Sequence, residues 1–198
     1  ARSAVKPLQA LPLLELGVAA GLGMTLAELA LVSASHNGTP AHTALAEQIL
    51  ARGGFTPDDL LCGPHSPMDP VAGRALTAAG LKPQKIHNNC SGKHGGFLLL
   101  AQALGVEKAR YLDPDGAPQL LVRKTVAEMA ELDGDAVEVG MDGCGAPTLH
   151  LPLIALARGF ANLTNPKDQS AVRTKACETL LTAITAHPDV LAGEGRIC

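Results

Sequence analysis

Four short stretches of the chain gather side chains that can move a proton, attack a carbonyl carbon or hold a metal. In Ser3-Ala4-Val5-Lys6 a hydroxyl and an amine stand at positions i and i+3, which share one face of a helix. Serine becomes a nucleophile only when a neighbour takes its proton, and a lysine whose charge is disfavoured by burial can do so. The same spacing also suits a capping serine beside a solvated lysine, so it discriminates only in company. That company is SASHNG, residues 33–38, where Ser35 and Asn37 lie two apart on a turn that Gly38 permits. Serine enzymes with Ser-x-x-Lys also carry a Ser-x-Asn turn, whose hydroxyl relays a proton to the leaving group. Alone, a serine-rich helix end is a cap and a turn.

The other two stretches carry thiols. HNNCSGKHGG, residues 87–96, sets Cys90, Lys93 and His94 at the mouth of the apolar run FLLLAQALG, and MDGCGAP, residues 141–147, sets Asp142 and Cys144 around Gly143. The free N–H groups and positive dipole end of a helix start favour a thiolate. Two thiolates converging from two loops make a soft metal site, suited to zinc. Lys93 is an uncommon ligand and His94 the conventional rival, while Cys90 with His94 one turn on also has the spacing of a thiol nucleophile and its base. A purely structural role is open as well, with glycines packing the backbone tightly and Asn88 and Asn89 satisfying buried polar groups. A phosphate loop is excluded: in G-x-x-x-x-G-K-[ST], His87 stands where the first glycine belongs and His94 where Ser or Thr belongs.

These stretches need elements to position them. Apolar spacing predicts helices over residues 3–20, 25–33, 40–52, 69–79, 92–104, 118–132, 150–162 and 168–186. Thr25, Asp69 and Asn165 or Asp168 are the expected starts, and Gly53, Gly80 and Gly105 the expected stops. Only residues 136–141, AVEVGM, read as a strand. At 198 residues the chain makes one domain or a large part of one, and both ends look cut, at Ala1 and after AGEGRIC with its lone Cys198.

Composition narrows the function. Aromatic residues are 2% of the chain, so the core must be aliphatic and base stacking is unavailable. A net charge of -3 with no basic stripe argues against nucleic acid as a partner. No apolar run reaches the roughly 18 residues of a membrane span. Five irregularly spaced cysteines fit a reducing, cytoplasmic setting better than a disulfide framework, with Cys62 and Cys177 as buried fillers.

HNNCSGKHGGFL, DGCGAPT, RSAVKPLQALP from Arg2, SASHNG and GPHSPMD, taken in order, resemble the bacterial, rhizobial type of L-asparaginase, the asparaginase II family. The resemblance implies an α+β fold similar to serine β-lactamases and penicillin-binding proteins, of which this chain carries a mostly helical part with few strands. It implies a small-molecule substrate, L-asparagine, hydrolysed to aspartate and ammonia. It makes Ser3, Lys6 and Ser35 catalytic, Cys90, Lys93 and Cys144 zinc ligands, and Arg2, His94 and Asp142 neighbours of the substrate. In the family Ser35 is expected to pair with a lysine further along than Cys198. The assemblies compatible with this reading include a homodimer.

Overall fold

The computed structural model describes residues 2–134 and 137–193. Ala136, where the expected strand begins, and Cys198 lie outside the described residues.

Ser3–Val5 forms a single 3-10 turn that runs directly into α1, Lys6–Glu15. Pro7 falls in the first turn of α1, where its missing N–H has no helical partner to lose. The expected helix over 3–20 is broken: Gly17 adopts φ 71° and a separate short α2, Val18–Gly21, follows. A left-handed residue ends a helix, and glycine alone takes that conformation without a Cβ clash.

Helix α3, Leu26–Val32, opens at Thr25 as expected, with a capping box closed by Glu28. Glu28 is fully buried and tied to Arg52 at 2.6 Å. Arg52 ends α4, Pro40–Arg52, so this pair pins the start of one helix to the end of the next. Helices α5, Pro70–Ala78, and α6, Ser91–Ala103, match the expected spans, and Asp69 caps α5 by accepting from the Ala72 N–H at 2.7 Å. Helix α7 covers Ala117–Met129.

A hairpin follows, built of β1, Glu138–Met141, and β2, Pro147–His150. The strands pair antiparallel, with Val139 opposite Leu149 and Met141 opposite Pro147. The expected helix from residue 150 starts later, as α8, Leu153–Thr164. Pro152 sits at its N-cap, the only end of a helix that spares a missing N–H. Helix α9, Ala171–Ala186, is capped by Ser170, which accepts from the Arg173 N–H, and not by Asn165 or Asp168. A last short α10, Pro188–Ala192, closes the described chain.

Helix α1 lies at the centre, packed against α6, α7 and α9. The core around it is aliphatic: Leu8, Leu11, Leu31, Ile49, Leu98, Val126 and Leu180 are all buried. Cys62 and Cys177 are buried within it, as expected, and no disulfide joins the described cysteines. No helix among the described residues is long and apolar enough to cross a membrane.

Helix α6 is buried from Ser91 through Ala101, which requires its neighbours to come unusually close. A Cβ on Gly92 would lie 2.7 Å from the Leu31 carbonyl oxygen, and one on Gly96 2.6 Å from Val32 Cγ1. The glycines therefore let α6 lie against α3 backbone to backbone. We expect Gly92→Ala to cost about 1–3 kcal/mol in urea denaturation, because the obstructing atom is main chain. Gly21→Ala, which meets nothing within 4 Å, should be neutral or slightly stabilising. Equal effects at the two positions would contradict this packing.

Candidate active site

Lys6 is the first residue of α1 and is 1% exposed. Its ammonium has three protons and meets three acceptors: the Ala34 carbonyl at 2.7 Å, Ser35 Oγ at 2.5 Å and Cys90 Sγ at 3.3 Å. Ser35 Oγ in turn donates to Ser3 Oγ at 2.7 Å. A continuous line of hydroxyls thus joins Ser3 to Lys6 through Ser35. The expected pair at i and i+3 is indirect, with Ser35 standing between its members. Burial pushes the Lys6 amine below the usual lysine range, against the opposing pull of Cys90. That direction favours the neutral, proton-accepting form.

The turn carrying Ser35 is fastened to the start of α6 by His36, which is fully buried. Ser91 Oγ donates to the Ile86 carbonyl at 2.9 Å, so its contact with His36 Nε2 at 2.9 Å requires the imidazole to donate. His36 Nδ1 then accepts from the Gly38 N–H at 3.2 Å. Burial, reinforced by the nearby His42 and Lys6, pushes the His36 imidazole down to about 3. It is a neutral clamp between the two stretches. Sequence spacing gave no sign of it, since its partner lies on another element.

At the N-cap of α6, the Cys90 N–H donates to Asn88 Oδ1 at 2.9 Å, and Asn88 Nδ2 donates to the Gly63 carbonyl at 2.9 Å. Asn88 thus has the structural part anticipated for it, while the cysteine beside it faces Lys6. The other thiol comes from the β1–β2 turn. There the Asp142 N–H donates to the Ala146 carbonyl, Gly145 adopts φ 82°, and the turn presents Asp142 and Cys144. Ligand atoms of Cys90, Asp142 and Cys144 all lie within 4.8 Å of one another. Lys93 Nζ is 3.4 Å from Cys144 Sγ and 5.8 Å from the Phe97 ring centroid.

The two thiols are driven apart electrostatically. The Cys144 thiol donates to Asp142 Oδ2 at 3.8 Å, and its closeness to Cys90, assisted by Lys6 and Lys93 against the cost of burial, lowers the Cys90 thiol to about 6. The same contact and burial raise Cys144 to about 11. Burial would raise the Asp142 carboxyl, but the Gly143 N–H and Arg2 outweigh it and hold it below the usual carboxylate range. Arg2 reaches Asp142 Oδ1 at 2.9 Å from an exposed position.

His94 is fully buried, with Nδ1 2.6 Å from the Tyr111 hydroxyl. Its Nε2 is the only buried side-chain nitrogen or oxygen among the described residues without a hydrogen-bond partner. Burial lowers this imidazole, while Cys144 pulls the other way from beyond hydrogen-bonding geometry. An unpartnered buried polar group of this kind costs about 1–3 kcal/mol. Cys90 is paired with Lys6 and Cys144, so the Cys90–His94 nucleophile and base suggested by spacing has no hydrogen bond to support it. All nine candidate residues therefore converge around Lys6 and the thiol pair. An apolar groove of about 800 Å³ between α3 and α9 includes none of them.

A hydroxyl line ending on a buried lysine thus stands beside two close thiols on a mainly helical scaffold. The chain belongs to the L-asparaginase II family, whose model matches residues 1–198. No curated protein matches it.

The thiolate assignment has a direct optical test. In metal-free protein, the thiolate absorbance difference between the parent and Cys90→Ser should titrate near 6 and rise with pH. Cys62, raised by burial to about 12, stays protonated across that range. A midpoint at the ordinary thiol value of 9 would refute it.

Proposed function

We propose that the protein hydrolyses the side-chain amide of L-asparagine, with Ser3 as the nucleophile. The observation that carries this reading is the unbroken Ser3–Ser35–Lys6 hydrogen-bond line. The family supplies the substrate class. With Lys6 in its neutral form the two hydroxyls turn to donate toward it, so that as Ser3 Oγ attacks the amide carbon its proton passes to Ser35 and the Ser35 proton passes to the Lys6 amine. Return of a proton along the same line to the leaving nitrogen breaks the C–N bond and releases ammonia. The resulting ester on Ser3 is cleaved by water, giving aspartate and restoring the hydroxyl. Ser35 is then a relay on Lys6.

The same reading gives the second cluster to zinc. Zinc at about 2.3 Å from each of two tetrahedral sulfurs separates them by about 3.8 Å, and Cys90 and Cys144 lie within 4.8 Å. Lys93, beside Cys144, would complete the ligand set. When bound there, the ion would supply positive charge that orients the carboxylate end of an amino-acid substrate. Arg2, Asp142 and His94 border that place and would contact the substrate's charged groups. The scaffold in this proposal is related to serine β-lactamases, supported by the Ser-x-x-Lys turn feeding a buried central helix.

Ser3→Ala in the intact protein should reduce ammonia release from asparagine by at least about a thousandfold. Turnover at the parental rate would remove Ser3 as nucleophile. Preference for a chromogenic β-lactam over asparagine and glutamine would reject the substrate assignment. Elemental analysis should find zinc near one per chain, lost in Cys144→Ala; zinc retained by that variant would place it elsewhere.

A further inference from the structure

Tyr111 is fully buried, on the turn after a short 3-10 helix at Lys108–Arg110, and its sequence context gave no reason to connect it to the site. Its hydroxyl has two neighbours. It accepts from the Leu61 N–H at 2.7 Å and lies 2.6 Å from His94 Nδ1. The backbone donor is fixed in kind, because a peptide N–H cannot accept. Tyr111 also keeps its own proton, since burial pushes its phenol well above the usual tyrosine range.

Two proton arrangements remain. If His94 carried its proton on Nδ1 and donated it, the tyrosine oxygen would accept from both sides. The phenol proton would then have no acceptor, and the Nε2 lone pair would also be unpartnered. If the phenol donates to Nδ1, its proton is used and only the Nε2–H remains without a partner. The second arrangement leaves one buried polar group unsatisfied and the first leaves two, so the second is favoured. The remaining Nε2–H is on the side of Cys144, beyond hydrogen-bonding geometry.

We infer that Tyr111 is a positioning residue that holds His94 as the Nε2–H tautomer, a hydrogen-bond donor facing Cys144 and the bound substrate. Its role in turnover rests on the amide-hydrolase reading above. Its effect on the tautomer does not. One consequence concerns the metal: an Nε2 that carries a proton has no lone pair to give, so Lys93 and not His94 completes a set with Cys90 and Cys144. Another concerns Leu61, whose N–H orients the phenol from outside the site. The chain Leu61 N–H, Tyr111, His94 ties the imidazole to a backbone amide.

The test is nitrogen-15 NMR of the intact, metal-free protein with labelled histidine side chains, His94 being assigned from the spectrum of His94→Gln. The proposal requires a protonated Nε2 and a bare Nδ1 in the parent protein. A proton on Nδ1 would overturn it, and this measurement needs neither a Tyr111 variant nor activity. Addition of zinc ion should leave Nε2 protonated, whereas loss of that proton would make His94 a ligand and refute the proposal. In Tyr111→Phe, which keeps the ring, the His94 tautomers should mix, and kcat for asparagine should fall about 10- to 100-fold. An unchanged tautomer in that variant would show that something other than the phenol sets it. If the tautomer shifts as expected but no variant or parent hydrolyses asparagine, the positioning inference stands and the substrate assignment falls.

Discussion

The burial of one ammonium group governs the site. Lys6 is removed from water at the start of the central helix, and a charged amine in that position is tolerated only where every proton finds an acceptor. Its three acceptors come from two other parts of the chain, the Ala34–Ser35 turn and the N-cap of α6. Holding Lys6 therefore means holding those two segments within hydrogen-bond range at once. Ser3, one turn earlier, is carried along because the 3-10 turn leads straight into α1.

Packing supplies that proximity. Glycines on α6 remove the side chains that would hold it away from α3, and the same first turns carry Lys93 to Cys144. His36 joins the Ser35 turn to Ser91 and so fixes the same spacing by hydrogen bonds. The two devices are complementary. Apolar contact sets how near the helices lie, and the neutral imidazole sets which way the serine turn points. This explains why reactive groups sit at the mouth of an apolar helix: a helix buried on nearly all sides is a rigid mount, and its N-terminus is the end that exposes unpaired N–H groups.

Local patterns in the sequence were enough to place most helices, because their starts are written in neighbouring residues such as Thr25 with Glu28, or Asp69 before Pro70. Features that depend on distant partners were not legible. Strand β2, Pro147–His150, opens on a proline, which argues against a strand in sequence, and it is defined by its pairing with β1. Gly17 breaks a continuous apolar pattern that gave no warning of φ 71°. At the site, residue types singled out Ser3, Lys6, Ser35, Cys90 and Cys144 as candidates. Their wiring was not legible: the place of Ser35 between Ser3 and Lys6, the His36 clamp and Tyr111 all depend on contacts that spacing does not specify.

Lys6 also links the two halves of the site energetically. Its contact with Ser35 would serve the proposed proton transfer, and its contact with Cys90 joins it to the thiol pair. Burial weakens the ammonium, while a thiolate on Cys90 strengthens it, so the basicity of the lysine depends on the charge of a sulfur that takes no part in the hydroxyl line. The converse holds by the same Coulomb interaction: the ammonium helps keep Cys90 ionised. Protonation at one centre cannot change without a response at the other. A hydroxyl relay placed on an isolated buried lysine would be tuned by desolvation alone, whereas here a second charged group, brought by a separate helix, shares in setting how readily that lysine takes a proton.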